Sequence, residues 1–226
     1  MIRYGLELGE PMYQNPLACA EDIRDFVLEG QAVISFPKGR MRLENALASQ
    51  LGQKANYVLW CPVEFPADVC VEWDFQPIRE PGLCILFFAA RGIHGEDLFD
   101  AALAPRTGEY PLYHHGDINA FHVSYFRRKE MDERAFHTCN LRKSYGFHLV
   151  AQGGDPIPDA VEATQPYRMA LVKRGNEVAF YCNELELFRF VDDGQTYGPL
   201  LGGGKIGFRQ LAPLIGEYAD LKVYAL

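Results

Sequence analysis

Histidine is the residue type whose distribution in this sequence points most clearly to chemistry. All six histidines lie between His94 and His148, and His114, His115 and His122 fall within nine positions. An imidazole changes its charge near neutral pH, which suits it to general acid and base catalysis. The same stretch adds guanidinium, phenol and carboxylate groups, contributed by Arg106, Tyr113 and Asp117. Because an isolated histidine is usually structural, it is the clustering that predicts a functional site.

The segments that position these residues are mostly predicted β-strands. Apolar and polar residues alternate on both sides of the turns at residues 37–39 and 174–176, which indicates two hairpins. Residues 83–90 are apolar at every position, as in a central strand covered on both faces. Helix is predicted only in short pieces, the best at residues 96–104. We therefore predict an all-β fold, a two-sheet antiparallel jelly-roll sandwich that forms one domain over residues 1–226.

Composition and charge narrow the class of protein. The 226 residues include 22 basic and 30 acidic side chains, for a net charge of −8, whereas a nucleic-acid-binding surface needs a basic excess. The longest apolar run is far shorter than the ~20 residues that cross a bilayer, and the N-terminus lacks the pattern of a secretory signal. We expect a cytoplasmic protein with no nucleic-acid or membrane partner. The six cysteines show no Cys-x-x-Cys spacing, which favours free thiols.

Several long stretches resemble the YesU-like family of uncharacterised bacterial proteins. They are residues 57–91, residues 105–128 (PRTGEYPLYHHGDINAFHVSYFRR), residues 139–158 (CNLRKSYGFHLVAQGGDPIP) and the closing segment GKIGFRQLAP. The resemblance implies the fold of the concanavalin A-like lectins and glucanases, and a role in the breakdown of pectin or other acidic polysaccharides. Proteins of this superfamily bind sugar on the concave face of a bent sheet. The resemblance implies no particular reaction.

Alternation within each strand predicts which polar side chains point out of the sandwich. When the more apolar parity is assigned to the core, Tyr145 and Phe147 point inwards and a polar, outward-facing set remains. That set comprises Glu72, Asp74, His122, Ser124, Arg142, Ser144, His148 and Arg209. We interpret it as the lining of one groove, whose carboxylates, imidazoles and guanidinium groups suit a sugar. The alternative is the solvated side of an ordinary sheet.

Glycoside hydrolysis is the first chemistry to consider for this groove. Glucanases of the superfamily carry a Glu on one strand, an Asp two residues later and a second Glu just beyond it. In a retaining enzyme, the two carboxylates that react with the sugar lie roughly 5 Å apart. Glu72 and Asp74 match the first two positions, but Gln76 and Pro77 stand where the second Glu belongs. A hydrolase would need its acid from another segment, and Asp117 is the candidate.

β-Elimination on a uronic-acid polymer is the second chemistry. It needs a positive or amide group to neutralise the sugar carboxylate, a base for the α-proton and an acid at the leaving oxygen. The candidate neutralising groups are Asn140, Arg106, Arg142 and Arg209. His122 or His148 is the candidate base, and Tyr113 is the candidate acid.

The sequence therefore predicts a protein that recognises an acidic oligosaccharide and acts on it as a lyase or a hydrolase; the alternative is a carbohydrate-binding protein without catalysis. The predicted catalytic residues are His122, His148, Glu72 and Arg142. The predicted substrate-binding residues are Arg106, Tyr113, His114, His115, Asp117, Asn140, Asp74 and Arg209. We expect no catalytic metal and no organic cofactor. Acidic groups such as Asp97 with Asp100 could supply oxygen ligands to a structural calcium ion, with no site assigned.

Overall fold

Two antiparallel β-sheets packed face to face form the protein. The structure is a computed structural model that describes residues 1–226, and its 17 strands are numbered from the N-terminus. The seven-stranded sheet contains, in spatial order, β12 (His148–Gly154), β11 (Thr138–Ser144), β10 (Ile118–Tyr125), β9 (Cys84–Gly92), β16 (Lys205–Gln210), β7 (Tyr57–Trp60) and β4 (Val27–Gly30). The eight-stranded sheet contains β15 (Leu185–Val191), β14 (Glu177–Cys182), β13 (Tyr167–Arg174), β8 (Val69–Arg79), β17 (Ile215–Ala225), β6 (Met41–Asn45) and β5 (Ala32–Ser35), with β3 (Tyr13–Asn15) also paired to β17.

The remaining elements are short. They are the hairpin of β1 (Ile2–Arg3) and β2 (Leu6–Glu7), the helices α1 (Pro111–His114) and α2 (Met131–Ala135), and the 3-10 helices Ala20–Ile23, Pro37–Gly39 and Ser49–Ala55. None of the helices has the length and apolar character needed to cross a bilayer. The predicted all-β, two-sheet antiparallel jelly-roll sandwich is confirmed. The two predicted hairpins are also present, as β5 with β6 and β13 with β14.

The helix predicted at residues 96–104 is wrong. These residues form turns, in which the carboxylates of Asp97 and Asp100 accept the backbone N–H groups two residues further on, each at 2.8 Å. A side chain that bonds its own backbone in this way stabilises a turn in competition with a helix.

A hydrophobic core lies between the two sheets. The inward-facing side chains form one cluster of 34 buried residues. Near its centre Trp73 packs against Tyr125 and Phe180, with ring centroids 5.9 and 6.2 Å apart, and donates its indole N–H to the Tyr125 hydroxyl at 3.1 Å. Burying one large apolar side chain stabilises a fold by roughly 1.5–3 kcal/mol. Packing between the layers is therefore the main force that holds the sheets together.

The outer face of the seven-stranded sheet is partly covered by residues 93–117, which we call the covering segment. Its Leu98 and Tyr113 join Trp60 and Phe87 of the sheet in a second buried cluster. Gly207 is required beneath this cluster, because a Cβ at that position would overlap the indole of Trp60. The covering segment thus lies over β7, β9 and β16, and its helix α1 extends onto β10 and β11, where Tyr110 contacts His122.

Glu29 on the edge strand β4 anchors the covering segment. Its carboxylate accepts hydrogen bonds from Arg106 (2.8 Å), from the Tyr113 hydroxyl (2.8 Å) and from the Trp60 indole N–H (2.9 Å). The side chains of Glu29 and Arg106 are only 10% and 5% exposed. Because a buried charge is stable only when it is paired, these contacts lock the segment in place.

The N-terminal hairpin of β1 and β2 covers part of the outer face of the eight-stranded sheet. Tyr4 lies against Tyr181 with ring centroids 4.8 Å apart, and Leu8 belongs to a third cluster of seven buried residues. The two outer faces of the sandwich are therefore covered by different parts of the chain.

All six cysteines are free thiols, and Cys19 is the exposed one. Burial raises the pKa of Cys70 and of Cys139 to about 12, so that both thiols are protonated at neutral pH. A protonated, buried thiol is a poor nucleophile and a poor metal ligand.

The Glu29 anchor predicts a large stability effect. Glu29→Ala leaves Arg106 buried without its counter-ion, and we expect the free energy of unfolding to fall by about 3 kcal/mol. Urea denaturation followed by fluorescence measures this loss. The matched control is Glu21→Ala, which removes an exposed ion pair with Arg24 and should cost no more than about 0.5 kcal/mol. Equal losses in the two variants would refute the anchoring role of Glu29.

Candidate functional site

Strand pairing brings several predicted site residues together on the outer face of the seven-stranded sheet. His122 of β10 lies directly opposite Arg142 of β11, and Ser124 lies opposite Asn140. Arg209 of β16 lies on the same face, two strands away from Ser124 with β9 between them. Side chains directly opposite each other in an antiparallel ladder are neighbours, with Cβ atoms ~5 Å apart. We call these five residues the cationic face.

His122 is held in a buried hydrogen-bonded chain. The Tyr110 hydroxyl lies 2.6 Å from Nδ1, and the Ser144 hydroxyl lies 3.0 Å from Nε2. Ser144 in turn donates to the carbonyl of Gly146 at 3.2 Å. If Tyr110 donates to Nδ1, then Nε2–H donates to Ser144, and every polar group of the chain is satisfied. This arrangement connects the phenol of Tyr110 to the imidazole of His122 and can move a proton between them.

Burial sets the protonation states of this pair. It lowers the pKa of His122 well below 6.5, and repulsion from protonated His114 and from the charged Arg142 and Arg209 lowers it further. Burial also raises the pKa of Tyr110 to about 12, against the influence of Arg209 and Arg142. Both groups are therefore neutral near pH 7. A neutral imidazole is able to accept a proton, which a permanently charged one is not.

Arg209 is a fully buried cation without an acidic partner. Its Nη2 donates to Gln53 Oε1 (2.9 Å) and to the Gly108 carbonyl (3.2 Å), and the guanidinium lies 4.5 Å from the ring centroid of Tyr110. Nε and Nη1 are buried and have no hydrogen-bond partner. Burial lowers the pKa of Arg209 to about 10, so it remains charged at neutral pH. Such a group projects a positive potential that no neighbouring carboxylate cancels.

Arg142 is a second cation without a carboxylate, and it is partly exposed. Its one hydrogen bond is to the carbonyl of Phe147 (2.8 Å), and its guanidinium stacks 3.7 Å from the centroid of the Phe147 ring. The remaining guanidinium N–H groups are free to bind an anion. Next to it, the amide of Asn140 contacts the Gln152 amide (2.8 Å) and the guanidinium of Arg127 (3.1 Å).

The outer face of β9, β10, β11 and β16 carries no carboxylate between the two arginines. The residues that point outwards there are Ile85, Phe87, Ala120, His122, Ser124, Asn140, Arg142, Ser144, Gly207 and Arg209. The polar residues of this face are buried except Arg142, which is partly exposed. In a chain with a net charge of −8, the positive potential attracts anions locally at Arg142 while the rest of the protein repels them. Its chemistry is that of anion binding with a neutral proton acceptor close by.

The other predicted residues of the covering segment have different positions. His114 packs on Phe147 with ring centroids 4.5 Å apart and contacts the exposed His115, and its pKa is lowered to about 4, chiefly by burial. Both imidazoles therefore lie at the rim of the cationic face.

Arg106 and Tyr113 are bound to Glu29 as described above, and Asp117 accepts the backbone N–H of Ala104 at 2.5 Å. The hydrogen bonds of Arg106, Tyr113 and Asp117 hold the covering segment in place, so these three side chains are not available to a ligand.

Glu72 and Asp74 do not belong to this site. They point outwards, as predicted, but from β8 in the eight-stranded sheet, on the opposite side of the molecule. Glu72 is fully buried under the N-terminal hairpin, where it accepts hydrogen bonds from Arg3 (2.9 Å) and Tyr4 (2.8 Å). Asp74 is bound to Arg168 at 2.7 Å. Both carboxylates are structural ion-pair partners in this position, and the catalytic pairing of Glu72 with His122 is not possible.

His148 also lies apart from His122. It is paired with Lys143 across the β11–β12 ladder, and this pairing turns its side chain to the face opposite that of Arg142. The chain turns at Tyr145–Phe147, where Gly146 adopts a φ of 94°, so the predicted continuous strand through these residues is wrong. For the same reason Tyr145 and Phe147 are 54% and 40% exposed, not part of the core.

Sequence patterns do not identify two residues of the site, Tyr110 and Phe147. Tyr110 was one of several tyrosines near the histidine cluster, and nothing in its spacing identified it as the partner of His122. Alternation assigns Phe147 to the core, although the isolated Gly146 within the strand pattern indicates an irregularity at this point. No group of three or more His, Cys, Asp or Glu side chains is close enough together to hold a metal ion.

The buried imidazole of His122 predicts a pH-dependent stability. Below about pH 6.5 the unfolded chain binds a proton at this position and the folded chain does not, so stability must fall as the pH falls from 6.5 towards 4. Part of this slope also comes from His114. We expect His122→Gln to flatten the slope, measured as the urea midpoint at several pH values. The control His94→Gln, at an exposed turn, should leave the dependence of stability on pH unchanged. If wild type and His122→Gln show the same dependence, His122 is not the buried neutral group that causes it.

Comparison with known proteins identifies relatives along nearly the whole chain. Residues 10–223 match the family model described as "Domain of unknown function (DUF1961)". "Uncharacterized protein YesU" of Bacillus subtilis (strain 168) is 53% identical over 216 residues, which cover 96% of each chain.

Solved structures share the fold. A Bacillus subtilis protein of unknown function with a galectin-like fold superposes with a TM-score of 0.93 at 52% identity, over 97% of both chains. The carbohydrate recognition domain of Emp46p in its potassium-bound form has a TM-score of 0.60 at 13% identity, over 93% of this chain and 94% of that one. The Bacillus licheniformis β-glucanase has a TM-score of 0.57 at 11% identity, over 97% and 100%. The last two similarities concern the fold alone. From the match over residues 10–223 and the identity to YesU, the chain belongs to the DUF1961 family, as the resemblance to YesU-like proteins predicted.

Proposed function

We propose that this protein recognises an acidic oligosaccharide on the cationic face. The observation that carries the proposal is the pair of guanidinium groups, Arg142 and Arg209, that have no carboxylate partner on an otherwise acidic protein. Arg142 has free N–H donors and is partly exposed, so it binds the sugar carboxylate directly. Arg209 is buried in the cationic face and adds to the positive potential around Arg142. The shared fold of the Emp46p carbohydrate recognition domain and the β-glucanase supports a sugar as the ligand.

The rim of the cationic face suits a sugar ring. Phe147 exposes aromatic surface beside Arg142, and at the tip of the same turn Tyr145 and His115 are exposed with ring centroids 5.7 Å apart. A sugar-binding site combines such apolar surfaces with a few fixed polar groups. Gln152 supplies such a polar group here, because its exposed amide lies beside the face and is fixed by its contact with the buried Asn140.

Charge removal tests the proposal. Arg142→Ala removes charge-assisted hydrogen bonds that contribute ~1.5–3 kcal/mol, so the affinity for oligogalacturonate should fall about tenfold or more. Isothermal titration calorimetry measures the affinity. The control is Arg174→Ala, which removes the same charge from an exposed position at the end of β13 in the other sheet and should have no effect. If the two variants bind equally well, or if a neutral glucan oligomer binds as tightly as the acidic one, the proposal fails.

β-Elimination is a second candidate function, supported by the Tyr110–His122 contact of 2.6 Å beside two arginines. His122 is 1% exposed and cannot touch a substrate itself, so Tyr110 is the group that would exchange protons with the sugar. Tyr110 would pass its phenol proton to Nδ1 of His122, take the α-proton of the sugar as a phenolate and give that proton to the leaving oxygen; the proton held by His122 then returns to Tyr110. Hydrolysis is disfavoured, because it requires two carboxylates flanking the scissile bond and the cationic face has none.

The two products separate the reactions. Elimination creates an unsaturated sugar with a new ultraviolet absorption band, whereas hydrolysis creates a reducing end without that band. We would test pectic, algal and glycosaminoglycan oligosaccharides. Tyr110→Phe should abolish the new band and keep most of the binding. Binding with neither product would identify a carbohydrate-binding protein without catalysis, and reducing ends without the band would identify a hydrolase.

A further inference from the structure

A separate pocket lies at the tip of the β11–β12 hairpin, between this turn and residues 196–201. Its volume is about 250 Å³, and its polar and aromatic lining includes Asn119, Tyr145, His148, Thr196 and Tyr197. Pockets for drug-sized ligands are ~300–1,000 Å³, so this one takes a single small ring. We infer that it is a subsite for one neutral sugar residue. This inference deepens the proposed function and rests on it for the kind of ligand.

The pocket has the aromatic surface that a sugar ring packs against. Tyr197 lies against His148 with ring centroids 5.2 Å apart and an angle of 41° between the ring planes. Tyr145 on the opposite side is 54% exposed. Amphipathic rings of this kind bind ligands that have an apolar surface and several hydroxyl groups, because the ring face packs and the polar edge forms hydrogen bonds.

Free hydrogen-bonding groups surround these rings. The hydroxyls of Tyr145 and Tyr197, the ring nitrogens of His148 and the amide N–H₂ of Asn119 make no hydrogen bond within the protein. Asn119 is nevertheless fixed, because its Oδ1 accepts the backbone N–H of Tyr145 at 2.9 Å. Donors and acceptors around a small aromatic-lined pocket fit the hydroxyl groups of a sugar.

The charge of the pocket distinguishes it from the cationic face. The one lysine in its lining, Lys143, is paired with Asp192 at 2.6 Å and also donates to the Gly198 carbonyl at 3.0 Å. Its ammonium group is thus neutralised within the protein, whereas Arg142 is not. A uronate carboxylate would therefore find no free cation in the pocket. This is the reason for assigning a neutral ring to it and the acidic ring to the cationic face.

The two sites share the turn formed by Tyr145–Phe147. Phe147 stacks on Arg142 on one side of the turn, and Tyr145 lines the pocket on the other. Ser144, at the start of the turn, both bonds His122 and lines the pocket. A ligand chain bound at both sites would therefore pass over this turn.

Amide chemical shifts test the subsite. Isotope-labelled protein is titrated separately with D-galacturonic acid and with four neutral sugars, D-glucose, D-galactose, D-mannose and L-rhamnose. At least one neutral sugar should produce saturable shifts at Tyr145 and Thr196 to Gly198, and Tyr197→Ala should weaken its binding about tenfold. Phe136→Ala, which removes a 71% exposed aromatic side chain that lines neither site, is the control and should not weaken it.

The outcomes separate this inference from the proposed function. If none of the neutral sugars shifts the pocket amides, or if Tyr197→Ala and Phe136→Ala bind equally, the subsite is refuted. If galacturonic acid shifts no amide near Arg142 while a neutral sugar still fills the pocket, the subsite stands and the acidic ligand of the cationic face is wrong.

Discussion

A buried positive charge without a negative partner is the constraint around which this molecule is arranged. The guanidinium of Arg209 is removed from water and meets two neutral oxygens and the face of Tyr110. Desolvation of such a group costs several kcal/mol, and these contacts offset only part of it. The covering segment must therefore be held firmly, and Glu29 supplies that restraint from β4, two strands away from Arg209 with β7 between them. Burial keeps His122 neutral, and the positive potential of Arg142 and Arg209 adds to this effect.

The two outer faces of the sandwich treat charge in opposite ways. On the eight-stranded sheet the carboxylates of Glu72, Asp74 and Asp220 are matched by Arg3 and Arg168, and the N-terminal hairpin closes over them. That face is neutralised internally. On the seven-stranded sheet Arg106 is paired with Glu29, but Arg142 and Arg209 have no carboxylate partner, which costs stability and offers a ligand something to bind. Such a difference within one fold supports function at the second face, since stability alone would favour pairing on both.

Local sequence patterns predicted much of the fold, and the reasons for the failures are physical. Alternation indicates which side chains leave the core, and Glu72, His122 and Arg209 all do so. It cannot say which of the two sheets a strand joins, because the pairing partners are distant in the chain, and so Glu72 was grouped with residues on the far side. His148 was misplaced because the Tyr-Gly turn was read as strand, and a shift of one residue reverses the faces. Tyr110 lies on an irregular segment, where no periodicity exists to guide a prediction.

A crystal structure of the protein with a short oligogalacturonate tests this arrangement of charges most directly. A sugar carboxylate should lie within hydrogen-bonding distance of the Arg142 guanidinium, over the face formed by β10 and β11, with the neighbouring rings against Phe147. An ordered ligand on the eight-stranded sheet, or one that leaves Arg142 free, would contradict it.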